Sequence, residues 1–138
     1  MSNSGYRIAD DNFWYNIEKD FGQGGGVYEL YCMTPKTNIK PINRLLKKDK
    51  KGTLYIGKAD SFLDRVIHLK KSLSPDYISS NHECGVRYKA LTEIRENFPY
   101  EHLYVELLGS SNPRTLEVER LDSYLKEFGE LPPLNRNG

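Results

Sequence analysis

Three short runs in this chain combine β-branched and aromatic residues and are flanked by turn formers: "GVYELYCM" (26–33), "TLYIG" (53–57) and "HLYVELLG" (102–109). Runs of this kind read as strands. Three strands cannot enclose a core alone, so helices must cover the sheet they make. The intervening segments supply them. Leu63, Val66, Ile67 and Leu73 recur at helical spacing after Ser61, which can cap, with Asp64 at the capping-box position. "GVRYKALTEIRENF" (85–98) places Val86, Leu91, Ile94 and Phe98 near one face. The last helix has the fullest punctuation: Asn112 to cap, Pro113 at the first turn, Leu121, Tyr124, Leu125 and Phe128 in register, Gly129 to stop it and Pro132–Pro133 beyond.

The expected class is α+β: a small three-stranded antiparallel sheet flanked by helices, in the order β-β-α-α-β-α. Residues 1–25 read as an N-terminal extension, a short helix near 11–21 followed by the glycine-rich joint "GQGGG" (22–26). That joint has neither the lysine of a phosphate-binding loop nor a helix after it. Residues 26–138 read as one domain, with an insertion at about 34–52 that holds Pro35, Pro41, "KKDKKG" and a short helix at 41–47.

A length of 138 residues suits one domain. No apolar run of about 18 residues is present, so no membrane span is expected. The first 21 residues lack the basic start and apolar stretch of a secretory leader. Cys32 and Cys84 are far apart and in no metal-type spacing. A reducing, cytoplasmic setting is the expectation.

Charge is unevenly placed. The chain totals +1, yet residues 36–71 carry eleven Lys and Arg against three Asp. A basic stretch in a near-neutral chain is what a polyanion-binding face looks like, though a lysine-rich loop in solvent looks the same.

Several residues carry chemistry. On the last helix Glu117 shares a face with Leu121, Tyr124 and Phe128, whereas Glu119 lies about 200° round, beside Asp122 and Lys126. A carboxylate on an apolar face needs a partner or a metal, unless it sits half-exposed near the helix start, where the dipole favours it. Tyr28 and Tyr55 are strand tyrosines next to glycines. Arg65 and His68 are three apart on one helix and can converge on an anion. Lys58 sits just past the "YIG" glycine, and His82 precedes a helix where it can cap or contact a phosphate.

"GVY", then "YIG", then Arg65 ten residues after Tyr55, then Glu117, then "LPPLN" (131–135) resemble, in that order, the GIY-YIG nuclease family over residues 26–135. The resemblance implies a DNA endonuclease, with RNA not excluded, that hydrolyses phosphodiesters at one active site with Mg²⁺ or Mn²⁺. It implies that Tyr28, Tyr55, Arg65, Glu117, His68 and Lys58 are catalytic, that Glu117 holds the metal (Glu119 being the alternative), and that Asn135 supports the site. Lys47, Lys48, Lys50, Lys51, Lys70, Lys71, His82 and Arg87 are candidate nucleic-acid contacts. Tyr28 is the expected base. A free phenol is ionised only about one part in a thousand at pH 7, a cost of roughly 4 kcal/mol, so Lys58 and Arg65 are expected to lower its pKa.

The chain departs from the family pattern. Tyr55 follows Tyr28 by 27 positions, more than a short hairpin needs. The family's histidine usually lies four residues after the arginine; here Leu69 stands there, and His68 and His82 compete for the role. No attached specificity domain is visible. One active site cuts one strand, so double-strand cleavage implies a homodimer or two visits. Two other readings are a non-catalytic nucleic-acid-binding module and a protein-interaction domain docking through Trp14 and its aromatic neighbours.

Overall fold

The computed structural model describes residues 5–36, 38–76 and 82–135. Strands β1 (Gly5–Arg7), β2 (Gly26–Cys32), β5 (Tyr55–Ala59) and β6 (Leu103–Gly109) form one antiparallel sheet in the order β1-β6-β2-β5. Strands β3 (Ile42–Asn43) and β4 (Lys48–Asp49) make a separate small hairpin. Helices α1 (Phe13–Phe21), α2 (Phe62–Leu73), α3 (Glu83–Ala90), α4 (Thr92–Asn97) and α5 (Pro113–Phe128) complete the α+β fold.

Alternation along the strands sorts side chains between two cores. Tyr28, Leu30, Cys32, Leu103, Val105 and Leu107 join Phe13, Ile17, Phe62, Val66, Leu69 and Cys84 in the larger one. On the opposite face Val27 and Ile56 pack against Tyr124 and Phe128 of α5. Strand β2 is flanked by strands on both sides and covered on both faces, so six of its seven residues are buried.

The sheet has four strands, not three. Strand β1 is three residues long and carries no apolar run, so it gave no strand pattern to read. The segment before β2 is part of the fold: Gly5–Arg7 pair with β6, and Ile8, Phe13 and Ile17 are wholly or almost wholly buried. The expected helix at 41–47 is the β3–β4 hairpin instead. The turn that follows it is fixed by Asp49, which accepts the amide N–H groups of Lys51, Gly52 and Thr53. Asp49 also accepts the Tyr124 hydroxyl, at 2.7 Å, which ties the hairpin to α5.

The helix expected over 85–98 breaks at Leu91, whose backbone is extended. Val86 and Leu91 face solvent, and Cys84 and Tyr88 form the buried side. Ser61 begins α2 without a side-chain cap bond. Helix α5 matches its signals: the Asn112 side chain accepts from the Thr115 amide, Pro113 starts the helix, and Gly129 closes it at a φ of 82°.

Gly57 is required by close packing rather than by its backbone angles. It lies opposite Tyr28 in the register. A Cβ there would sit 2.5 Å from Tyr28 Cζ and 2.8 Å from Tyr55 Cε2, so only a glycine leaves room for both rings.

Candidate active site

A cleft of about 590 Å³ opens beside β5. It is lined by Tyr28 from β2, Tyr55 and Lys58 from β5, Arg65 and His68 from α2 and Glu117 from α5. Asp60, Ser61 and Asp64 complete its wall on the α2 side. Strand β2, the consecutive β5 and α2, and the distant α5 thus bring the two tyrosines, three basic side chains and Glu117 together.

Local structure explains the placement. Phe62, Val66, Leu69 and Leu73 turn α2 toward the core, which leaves Arg65 and His68 on the exposed side. Leu121, Tyr124 and Phe128 seat α5 on the sheet. Glu117, one turn before Leu121, is half-buried and faces the cleft, while Glu119 is exposed. Lys58 lies within the strand, because β5 runs from 55 to 59 and not from 53 to 57.

Tyr28 is fully buried apart from its contact with the cleft, and its ring centroid lies 6.0 Å from that of Tyr55. The Tyr28 hydroxyl is 2.8 Å from His82 Nε2. His82 Nδ1 accepts the Cys84 amide N–H, at 3.2 Å, so the neutral ring carries its proton on Nε2 and donates it to the Tyr28 oxygen. Burial, with Arg65 and His68 nearby, drops the His82 pKa to about 3. His82 therefore caps α3 and bonds a phenol from inside the protein.

Burial also holds the Tyr28 phenol well above its usual range, with Tyr55 pushing the same way, while Arg65 opposes both through its charge and a hydrogen bond. The cations do not bring this pKa below normal, because loss of hydration outweighs them. Tyr55 is raised as well, first by burial and then by Cys84 and Glu83, against Arg65. Glu117 is raised by burial and pulled back by Lys58 and Arg65.

No cluster of three or more His, Cys, Asp or Glu side chains with metal-binding geometry occurs among the described residues. A closed structural metal site therefore does not fit. One carboxylate in a partly desolvated cleft does fit a hard cation that keeps most of its waters. Glu117 is the residue of this cleft in that position.

Asn135 clips the outer edge of β5: its side chain accepts from the Ile56 amide at 2.9 Å and donates to the Ile56 carbonyl at 3.0 Å. Other candidates lie elsewhere. Lys70 is a strut, with its ammonium on the Ile8 carbonyl and the Tyr100 hydroxyl, so it is turned toward the N-terminal segment and away from the cleft. Lys71 is exposed on α2 and Arg87 is half-buried on α3, and neither lines the cleft. Lys47, Lys48, Lys50 and Lys51 line a different cavity.

Sequence reasoning missed two buried acids. Glu29, on β2, accepts from Arg120 of α5 at 2.7 Å. Asp49 hides inside a run of lysines; the glycine three residues after it is the turn signal that identifies it. Comparison of the chain with protein-family models, with curated proteins and with solved structures finds no match in any of the three. No described helix is long and apolar enough to cross a membrane.

Proposed function

We propose that this chain is a metal-dependent endonuclease of the GIY-YIG type that hydrolyses DNA phosphodiester bonds. The observation that carries the reading is the convergence of Tyr28, Tyr55, Arg65 and Glu117 on one cleft, from four elements, in the order the resemblance requires. Fold packing alone does not need an arginine and a half-buried glutamate beside two buried phenols.

A phosphodiester entering the cleft meets Arg65 and Lys58, which hold it by charge. Arg65 also offsets the charge that builds on phosphorus as water adds. Tyr28, once its own proton has gone to solvent base, takes the proton from that water as the phenolate. Its oxygen already receives the His82 N–H, a bond that favours the ionised phenol. Tyr55 donates a hydrogen bond that orients water or phosphate. Glu117 would hold Mg²⁺ or Mn²⁺, which when bound supplies positive charge for the leaving oxygen. His68 stands at the exposed rim as a further phosphate contact.

The test is incubation of supercoiled plasmid with Mg²⁺. Nicked circles appear with the native chain and are lost in Glu117→Ala and in Arg65→Ala, with folding checked by circular dichroism. Full activity in either variant rejects the site. Linear product at early times implies two protomers acting together.

One observation favours a second reading, a module that binds nucleic acid without cutting it: burial keeps the Tyr28 phenol protonated in the free protein. Binding with no nicking between pH 7 and 10 selects that reading.

A further inference from the structure

A second cleft, of about 560 Å³, lies between the β3–β4 hairpin and α5. It adjoins the first along two elements. On β5, Lys58 lines the active cleft and Ile56, two residues earlier on the same face, lines the second. On α5, Glu117 faces the first, and Arg120 and Tyr124 face the second.

The acids of this second cleft are already engaged. Glu29 is bonded to Arg120, and Glu127 to Lys47. Asp49 is saturated by three backbone N–H groups and the Tyr124 hydroxyl. The charge the cleft offers is therefore that of Lys48, Lys50 and Lys51, all exposed. The insertion is no loose loop. Asp49 and its bond to Tyr124 fix these lysines relative to α5, so their spacing from Glu117 is set by the fold.

We propose that the second cleft seats the backbone of the nucleic-acid strand whose scissile phosphate occupies the first, with Lys48, Lys50 and Lys51 facing its phosphates. This rests on the nuclease reading of the first cleft. Arg120 and Tyr124 follow Glu117 by three and seven residues. At about 1.5 Å per residue that is roughly 5–10 Å along the helix. One strand carries a phosphate about every 3.4 Å of duplex axis, so the lysines meet the strand about one to three phosphates from the cut. A substrate must then extend several nucleotides to one side of the scissile bond.

The experiment measures binding of fluorescent oligothymidylates, two, four and eight nucleotides long, by anisotropy in EDTA across a salt series. With the native chain, affinity climbs from two to four nucleotides and then levels. In the triple variant Lys48→Ala, Lys50→Ala, Lys51→Ala the climb disappears and the salt slope falls by about 2, at about 0.7 per released contact. Lys50→Glu alone moves both readouts the same way, which guards against a folding effect of the triple change. The same climb and slope in the variants overturn the proposal. Metal is absent, so the two readings separate. Length-dependent binding without plasmid nicking removes the nuclease and leaves the second cleft. Nicking with unaltered binding in the variants does the reverse.

Discussion

The Tyr28 hydroxyl lies 2.8 Å from His82 Nε2, and the Cys84 amide binds the other side of the same imidazole, so the histidine is held as a donor to the phenol. A histidine in that state cannot take the phenol's proton. It can only favour the phenolate once water or base has removed it.

Rate should therefore depend on pH through Tyr28. Its phenol ionises above the ordinary value of 10, because burial outweighs Arg65. With Tyr28 as base, the nicking rate rises about tenfold per pH unit from 7 toward 10, without a plateau. Tyr28→Phe removes the activity, and His82→Leu lowers the rate at every pH in this range more than His82→Gln does. A native profile that levels near pH 7 rules Tyr28 out as the base.

Acid should unfold the protein partly through His82. The fold keeps the ring neutral down to about 3, whereas the unfolded chain protonates it at its usual 6.5. Below pH 6.5 the unfolded state binds the extra proton, so stability falls as pH drops from 6.5 toward 3, by roughly 3–5 kcal/mol across the window. Urea denaturation at pH 7, 5 and 4 measures it. His82→Gln should show a shallower loss over that range, and an equally steep loss assigns the acid lability to other groups.

Glu117 has the opposite sign. Burial raises its pKa in the fold despite Lys58 and Arg65, so the folded chain binds this proton more readily than the unfolded one. The contribution is present at low pH and lost as pH rises through the raised value. At pH 7 the ionised acid is a net cost. Glu117→Gln should raise the melting temperature while abolishing nicking, as differential scanning calorimetry and the plasmid assay report. A lower melting temperature means that Lys58 and Arg65 need the carboxylate more than burial penalises it.

Glu29 and Arg120 should behave as a pair. Glu29 is 6% exposed and its carboxylate takes two donors from one guanidinium. Arg120→Ala leaves that charge buried and unpaired, at a cost of about 3–5 kcal/mol. Glu29→Leu combined with Arg120→Met should cost far less than the single change. Chemical denaturation of the three proteins decides it, and equal losses in the single and double variants mean the charge is not the issue.

What was legible in the chain depends on the range over which each signal acts. Helix α5 could be read because its caps, its apolar stripe and its terminal glycine are all local. The tyrosines, Arg65 and Glu117 stood out by type and order. The break at Leu91 did not, because Val86 and Leu91 look apolar yet face water, and Cys84 and Tyr88 bury the helix instead. Strand β1 exists only through its pairing with a strand about a hundred residues on. The hairpin was hidden because "KKDKKG" reads as solvated charge, while its one acid is drawn inside by Tyr124. Lys70 looked like its neighbours and was claimed by the Ile8 carbonyl.

The sheet order places β6 between β1 and β2, and the tail at Asn135 closes the edge of β5. Strand β1 thus waits for β6, about a hundred residues later, before it has a neighbour, and Tyr55 lies on a strand whose outer edge is closed by Asn135, eighty residues on. Such long-range pairing makes refolding slower than that of a helical bundle of this size. On the ribosome the cleft comes together only after α5 has emerged, so a copy made only as far as α4 exposes neither a finished site nor a finished sheet.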